Sequence, residues 1–228
     1  VSDANATNLY LKMIGEENIP RAVSRGLRSY ELSPSCTVGH LGLDYRPPLR
    51  SQHMMALADP ELIDLFWSDI YDKGIAVPQS LGLVSSPSHM DASLAPEGGA
   101  TLSFITMAPR HPRGAPWSEM KWEYLERGID MLDAVFLPGV KDHIVFKTVA
   151  TPEDFETRLL IPHGSIYSYS MAALSQMIFR PSNRSKCIGD LYLCGASSHP
   201  SGSVPGALYG GFIAADLVLG DMNGDGSR

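Results

Sequence analysis

The end of the chain carries a short apolar strand, a loop of small residues and an apolar helix, in that order. The stretch reads LYLCGASSHPSGSVPGALYGGFIAADLVLGD and covers residues 191–221. Gly195 and Ala196 follow the strand and allow a close approach to the backbone, because neither carries a large side chain. The pattern predicts a strand over 190–194 and a helix over 205–219.

The start of this helix is a candidate binding site. Pro205 suits the first helical turn, since its missing N–H would have no partner there. The backbone N–H groups of Gly206, Ala207 and Leu208 are expected to be free and to carry partial positive charge. Such a helix end suits a phosphate or an electron-rich ring. A packed strand–helix joint without a ligand explains the same residues, and the pattern alone leaves both interpretations open.

Composition and charge exclude several classes of function. The chain has 228 residues and a formal net charge of −7, whereas a nucleic-acid partner would call for a basic stripe. No apolar run approaches the roughly 20 residues that span a bilayer. The three cysteines lack CxxC spacing, so neither a disulfide framework nor a zinc site is predicted. Unpaired cysteines favour a reducing compartment, and we expect the cytoplasm.

The histidines do not form a recognisable metal or catalytic motif. They are scattered along the chain as His40, His53, His89, His111, His143, His163 and His199. No HExxH pattern occurs, so we interpret them as surface or hydrogen-bonded side chains and predict no metal site. The nearest approach to a GxSxG nucleophile motif begins at Gly195 and lacks the second glycine, which argues against a serine hydrolase.

Hydrophobic periodicity predicts a mixed architecture. Helices are predicted over 3–14, 18–30, 60–73 and 117–136, with a further helix beginning after Thr151; strands are predicted over 35–43, 79–85, 99–108 and 142–150. Antiparallel-type strands combined with surface helices indicate an α+β fold. Helices 60–73 and 117–136 are expected to cover the sheet.

Several segments together resemble the phytoene desaturase-like flavoproteins, within the amine oxidase and glutathione reductase-type FAD superfamily. The stretch GDLYLCGASSHPSGSVPGALYGGFIAADLVLGD resembles their C-terminal flavin-binding motif. VSDANATNLYLKMIGEENIP resembles the segment with which the C-terminal half of the family begins, and DASLAPEGGATLSFITMAP resembles a strand and turn of the substrate domain. The resemblance covers nearly the whole chain and is strongest from Thr151 onward.

The resemblance implies three regions. Residues 1–30 would be a helical segment that leads out of the FAD domain. Residues 31–180 would form the substrate-binding domain, whose antiparallel-rich sheet is covered by helices. Residues 181–228 would supply the C-terminal strand, loop and helix of a Rossmann-like FAD domain.

The resemblance also implies FAD as the cofactor. Two groups of residues would contact it, one near the ribityl–phosphate portion and one at the pyrimidine end of the ring: Gly195 and Ala196, then Val204, Pro205, Gly206 and Ala207. A side chain at Gly206 would project toward the flavin, so Gly206→Val is expected to lower flavin occupancy. Ser201 and Ser203 stand where the family loop has glycines.

No GxGxxG turn follows a predicted strand in this sequence. In the family that turn binds the FAD pyrophosphate. We therefore expect a complementary N-terminal Rossmann half or subunit, in a heteromer, and expect the chain alone to be inactive and to bind FAD only weakly.

The implied function is that of a desaturase- or dehydrogenase-like oxidoreductase, which moves a hydride from a C–H bond of an apolar small-molecule substrate to flavin. Residues 79–85 and 101–108 are expected to wall the substrate pocket, and no catalytic residue is identified. Two alternatives stay open: a non-catalytic partner subunit that completes a flavin site, and a flavin-dependent isomerase without net redox change. The sequence identifies neither the substrate nor the electron acceptor, and it leaves membrane contact open.

Overall fold

The computed structural model describes residues 1–55, 60–77, 82–171 and 178–224 and divides into two compact units. The terminal unit combines Val1–Pro34 with Glu156–Arg228, and the sheet unit comprises Ser35–Phe155. This division differs from the predicted boundaries, because residues 156–180 group with the two ends of the chain and not with the sheet. The functional roles assigned to the regions remain predictions.

The sheet unit is built on a five-stranded antiparallel sheet with the order β2-β3-β4-β1-β5. Its strands are β1 (Ser35–Leu43), β2 (His53–Met55), β3 (Leu83–Ser85), β4 (Ala100–Ala108) and β5 (Ile144–Ala150). This sheet confirms the predicted α+β class with an antiparallel-rich sheet. The short strand β2 was not predicted, and residues 79–81 of the predicted strand 79–85 lie outside the described residues.

The helices follow the sequence pattern closely. They are α1 (Ala6–Asn8), which continues as a π-helical turn (Leu9–Met13), α2 (Arg21–Ser29), α3 (Pro60–Tyr71), α4 (Trp117–Met131), which continues as a π-helical turn (Leu132–Phe136), α5 (Pro152–Leu159) and α6 (Val204–Met222). Short 3₁₀ turns occupy Glu16–Asn18, Pro87–His89, Ala92–Leu94, Val140–His143 and Pro162–Gly164.

One face of the sheet packs against α4, as predicted. Leu125 and Ile129 of this helix belong to a buried cluster that includes Leu102 and Phe104 of β4. The Phe104 ring fits only because small residues face it. A Cβ atom built on Gly128 would lie 2.6 Å from the ring, and Gly39 of β1 leaves similar room. For α3, Ile70 is buried, whereas Leu62, Leu65 and Phe66 have side chains outside the described part of the structure.

The opposite face of the sheet, which we call the open face, carries every second residue of each strand. In β4 the residues between the buried positions, from Thr101 to Met107, are half-buried. In β1 the same face includes the exposed His40. The open face is therefore the surface of the sheet unit that α4 does not cover.

The terminal unit joins the beginning of the chain to its end. Ser2 pairs in parallel with Leu193; its N–H donates to the carbonyl of Tyr192 over 2.8 Å, and its own carbonyl accepts from Cys194 N–H over 2.9 Å. On the other side, Leu193 N–H donates to Asn183 O over 2.8 Å. The predicted strand 190–194 is thus extended backbone with partners on both sides, although only Tyr192 and Leu193 form bridge pairs.

A small apolar core supports this pairing. Ala6, Leu9, Tyr10 and Leu27 bury their side chains together with Leu193. Among the described residues, no helix is both long enough and apolar enough to cross a lipid bilayer.

Candidate functional site

A cavity of about 300 Å³ lies in the terminal unit, next to the small-residue loop that follows Leu193. Three segments line it, residues 3–5, 165–168 and 196–197, together with Leu159 and Ile161. Most of the lining side chains are small or polar. The cavity therefore places Ala196, a predicted cofactor contact, beside segments that the sequence analysis did not connect with it.

Asn5 holds two of these segments together. Its Oδ1 accepts hydrogen bonds from Thr7 N–H at 3.0 Å and Asn8 N–H at 3.4 Å, which caps α1. Its Nδ2 donates to Ser168 Oγ over 2.8 Å. Asn5 was not among the predicted site residues, although an asparagine immediately before a helix is a known capping signal that could have drawn attention to it.

Ser197 joins the third segment to the same place. Its Oγ accepts a hydrogen bond from Ala6 N–H over 2.9 Å, and both residues are buried. Two side chains that line the cavity, those of Asn5 and Ser197, therefore accept the hydrogen bonds of the first N–H groups of α1. These bonds fix the cavity walls against each other.

Backbone strain is concentrated beside the cavity. Ser168 adopts a φ of 66°, and Leu160 and His163 adopt φ values of 53° and 52°. Non-glycine residues pay a steric cost in this left-handed region, and such residues cluster at binding and active sites. The strain supports the hypothesis that the cavity is a functional site.

Gly195 makes the turn that leads from the extended segment into the loop. Its φ is +82°, and a Cβ atom there would lie 3.3 Å from the carbonyl oxygen of Asp3. A glycine is required here by the backbone conformation itself. The residue that approaches Gly195 most closely in the structure is therefore Asp3.

Arg180 fixes the carbonyl of Ala196. This side chain is nearly fully buried. Its Nη1 donates to Ala196 O and its Nη2 donates to Tyr169 O, each at a distance of 2.6 Å. Its guanidinium also lies 5.8 Å from the centre of the Tyr169 ring. No carboxylate in the described part of the chain forms an ion pair with it. Burial lowers the pKa of Arg180 and raises the pKa of Tyr169 to about 12.

The start of α6 differs from the prediction. Ser203 is the N-cap of the helix, and its Oγ accepts from Gly206 N–H over 3.2 Å. Its carbonyl accepts from Ala207 N–H over 2.8 Å. The N–H groups of Gly206 and Ala207 are therefore not free, and the expectation that they await a ligand is wrong. Val204 and Pro205 remain exposed, so the surface offered at this helix end is largely apolar.

The expected direction of a side chain at Gly206 is also wrong. Gly206 is buried, and a Cβ atom built on it would lie 1.8 Å from Ser201 Oγ. Gly206→Val would therefore reshape the loop before it affected any bound ring. Ser201 and Ser203 themselves need no glycine, because neither has a positive φ. Whether the predicted set contacts a cofactor stays a prediction.

Metal binding has no visible support in the described ranges, where no three His, Cys, Asp or Glu side chains are grouped so that they could hold an ion. The cavity and the loop are thus the candidate site. Their hydrogen bonds explain how the loop is held.

The chain is 30% identical over 227 residues to the lycopene-forming phytoene desaturase of Pseudescherichia vulneris. It is likewise 30% identical over 216 residues to the 4,4'-diapolycopen-4-al dehydrogenase of Metabacillus indicus. This chain is homologous to the phytoene desaturases. The resemblance inferred from the sequence is thereby confirmed, although no family model matches the chain.

This chain spans about half the length of the curated relatives that it matches. The two alignments cover 97% and 92% of this chain, but only 45% and 40% of the relatives. Its fold matches that of an oxidoreductase from Methanosarcina mazei with a TM-score of 0.57 at 14% identity, over 94% of this chain and 42% of the other. At that identity the match establishes a shared fold.

Proposed function

We propose that this chain supplies the C-terminal part of an FAD-dependent oxidoreductase that acts on a C–H bond of an apolar substrate. The observation that carries the proposal is the parallel pairing of Ser2 with Leu193, which leads directly to the turn at Gly195 and to the cavity beside Ala196. In open α/β folds, ligands bind beyond the carboxyl ends of parallel strands. The cavity lies just beyond the carboxyl ends of these two paired segments, which supports the proposal.

The residues at this position fit part of a flavin. Ala196 and Ser197 have small side chains at the cavity wall, and the turn at Gly195 keeps the backbone accessible. When bound, FAD would supply the acceptor for a hydride from the substrate. The protein would contribute the rigid loop, held by Arg180 and Ser197.

This fit is too small to hold FAD by itself. A helix terminus contributes about 0.3–1 kcal/mol when exposed and up to about 2 kcal/mol when partly buried. Micromolar affinity requires about 8 kcal/mol. We therefore propose that a complementary dinucleotide-binding half provides the GxGxxG turn and most of the binding energy.

An exposed apolar stripe on α6 supports a partner of this kind. Val204, Leu208, Phe212, Leu219 and Met222 follow one another at spacings of three, four or seven residues and so share one side of the helix. Each is more than half exposed. We call this set the α6 stripe and propose that the complementary half packs against it.

The test is a comparison of flavin binding by the full chain with and without a complementary half. That half would carry the residues of the Pseudescherichia vulneris relative that this chain does not match. We expect FAD titration to show no saturable binding to the chain alone at low micromolar concentrations, and close to one flavin per complex after co-expression. Saturable binding by the chain alone would contradict the need for a second half.

A matched pair of variants links this binding to the cavity. Ala196→Leu fills space at the cavity wall and should lower flavin occupancy of the complex. Ala92→Leu makes the same change at an exposed residue of the sheet unit and should leave occupancy unchanged. Product mass then separates the reaction types, because loss of two hydrogens indicates oxidation, an unchanged mass indicates isomerisation, and no product indicates a non-catalytic subunit.

A further inference from the structure

A second cavity, of about 600 Å³, lies in the terminal unit and has about twice the volume of the cavity beside Ala196. Its walls come mainly from α2, from the segment 178–187 and from α6. Cavities of about this size accommodate small-molecule ligands. We call it the basic cavity, because its lining includes Arg180, Arg184 and Lys186 and, among the described residues, neither aspartate nor glutamate.

Arg180 places in this wall a buried charge that forms no ion pair in the described part of the chain. The residue is only 4% exposed, and its Nη1 and Nη2 donate to two backbone carbonyls. Its Nε is buried and makes no hydrogen bond within the described ranges. A buried cation is costly unless an opposite charge lies beside it. An anion in the cavity would compensate this charge.

The other two cations of the lining are compensated only in part. Arg184 forms an ion pair with Asp221, and that carboxylate also accepts a hydrogen bond from the hydroxyl of Tyr192. Lys186 is exposed and forms no ion pair with any residue that the structure describes. Three cations are thus matched by one carboxylate, in a chain whose formal net charge is −7. This local excess of positive charge favours an anionic ligand.

A different part of the lining is aliphatic. It consists of Val23 and Leu27 of α2 and Ile213 and Leu217 of α6. Each pair is spaced by four residues and therefore lies on one side of its helix. The cations, by contrast, all belong to the segment 180–186 between the helices. Charged and aliphatic walls in one cavity suit a ligand that has an anionic head and an apolar body.

The basic cavity and the α6 stripe use opposite sides of α6. Leu217 lines the cavity and follows Leu208 of the stripe by nine residues, which is about two and a half helical turns. The two side chains therefore project in opposite directions from the helix. A ligand in the basic cavity can bind while the complementary half packs against the stripe.

We propose that the basic cavity binds an amphipathic anion, a molecule with one carboxylate or phosphate group on an apolar body. The anionic group lies beside Arg180, Arg184 and Lys186, and the apolar body contacts the aliphatic side chains of α2 and α6. This ligand is additional to the flavin of the proposed function, because none of the predicted flavin contacts lines the basic cavity.

The test compares three probes with ten-carbon chains and different head groups: decanoate, decyl phosphate and decan-1-ol. Each is titrated into the full chain by calorimetry, below its micelle concentration and without FAD. We expect the preferred anion to bind at least about tenfold more tightly than decan-1-ol, because charge-assisted hydrogen bonds are stronger than neutral ones. Comparison of the two anions shows which head group the cavity prefers. Equal dissociation constants for all three probes, or no binding of any, would overturn the proposal.

One pair of variants tests the position of the head group. Lys186→Gln removes a charge from the lining and should lower the affinity for the preferred anion about two- to fivefold, with decan-1-ol unaffected. Lys12→Gln is the matched control, since Lys12 is an exposed lysine of the terminal unit outside the cavity. Arg180 is left unchanged because it also holds the carbonyl of Ala196. Anion affinities that fall equally in both variants, or in neither, would contradict the assignment.

A second pair tests the position of the apolar body. Leu217→Asn puts an amide into the aliphatic wall and should weaken binding of all three probes by a similar factor, about three- to tenfold. Leu94→Asn makes the same change at an exposed residue of the sheet unit and should weaken none of them. Circular dichroism verifies that each variant folds. Unchanged binding by a folded Leu217→Asn chain would show that the apolar body lies elsewhere and would overturn the proposed site.

Discussion

Cys36 is the buried thiol of the sheet unit, with only 3% of its surface exposed. Burial raises its pKa from 9.0 to about 12. Ionisation of a thiolate in an apolar environment is costly, because the charge loses its hydration. The residue is therefore a small apolar group in the folded protein and an ionisable group in the unfolded one.

This difference predicts a dependence of stability on pH. Between about pH 9 and pH 12 the folded chain keeps the proton of Cys36 and the unfolded chain releases it, so the contribution to stability is present below pH 9 and is lost as the pH rises. The loss amounts to at most about 4 kcal/mol near pH 12. Urea unfolding from pH 8 to pH 11 should show a shallower decline for Cys36→Ala than for the unchanged chain. Parallel declines would contradict the prediction.

His40 and His53 show why the sequence alone could not reveal which residues the sheet brings together. His40 and His53 looked scattered in the sequence, and each was interpreted as a surface or hydrogen-bonded side chain. Only the sheet order, which inserts β3 and β4 between their strands, puts them on one line. Register between distant strands is a property of the fold and leaves no local signal.

At the scale of elements, the strongest periodic segments were predictable. The strand over 35–43 was predicted with the bounds that it has in the structure. The helix that begins at Trp117 was predicted with the correct first residue. The N-terminal helix was predicted over 3–14, but Asn5 caps it two residues later. At α6 the capping role of Ser203 was overlooked, which led to the wrong expectation for the N–H groups behind it. Caps are decided by single side chains, so periodicity misses them.

Two neighbouring glycines in α6 should respond to substitution in opposite directions. A Cβ atom on Gly210 would lie 2.9 Å from His199 O and close to Asn183 Nδ2, whereas a Cβ atom on Gly211 would meet nothing within 4 Å. Gly211→Ala should therefore stabilise the chain by about 0.5–1 kcal/mol, since alanine is the better helix former. Gly210→Ala should destabilise it by about 1–3 kcal/mol. Urea unfolding measures both, and equal shifts would contradict the geometry.

At the scale of the whole molecule, the α6 stripe is the exposed apolar surface against which we propose that the complementary half packs. A charge at its centre should be excluded from an apolar interface, because a buried unpaired carboxylate is costly. Phe212→Glu is therefore expected to lower co-purification with the complementary half by at least about tenfold. Trp122→Glu, an exposed aromatic residue on α4, is the control and should have little effect. Undiminished co-purification of Phe212→Glu would place the interface elsewhere.

The pairing of Ser2 with Leu193 has a consequence for folding during translation. The sheet unit emerges complete once Phe155 has left the exit tunnel, and it can fold while synthesis continues. The segment around Ser2 must wait for its neighbour, because Leu193 is translated 191 residues after Ser2. During that interval the apolar side chains around Leu9 have no partner from the far end. Nascent chains stalled before Leu193 should therefore show a protease-resistant sheet unit and cleavage in the segment around Leu9.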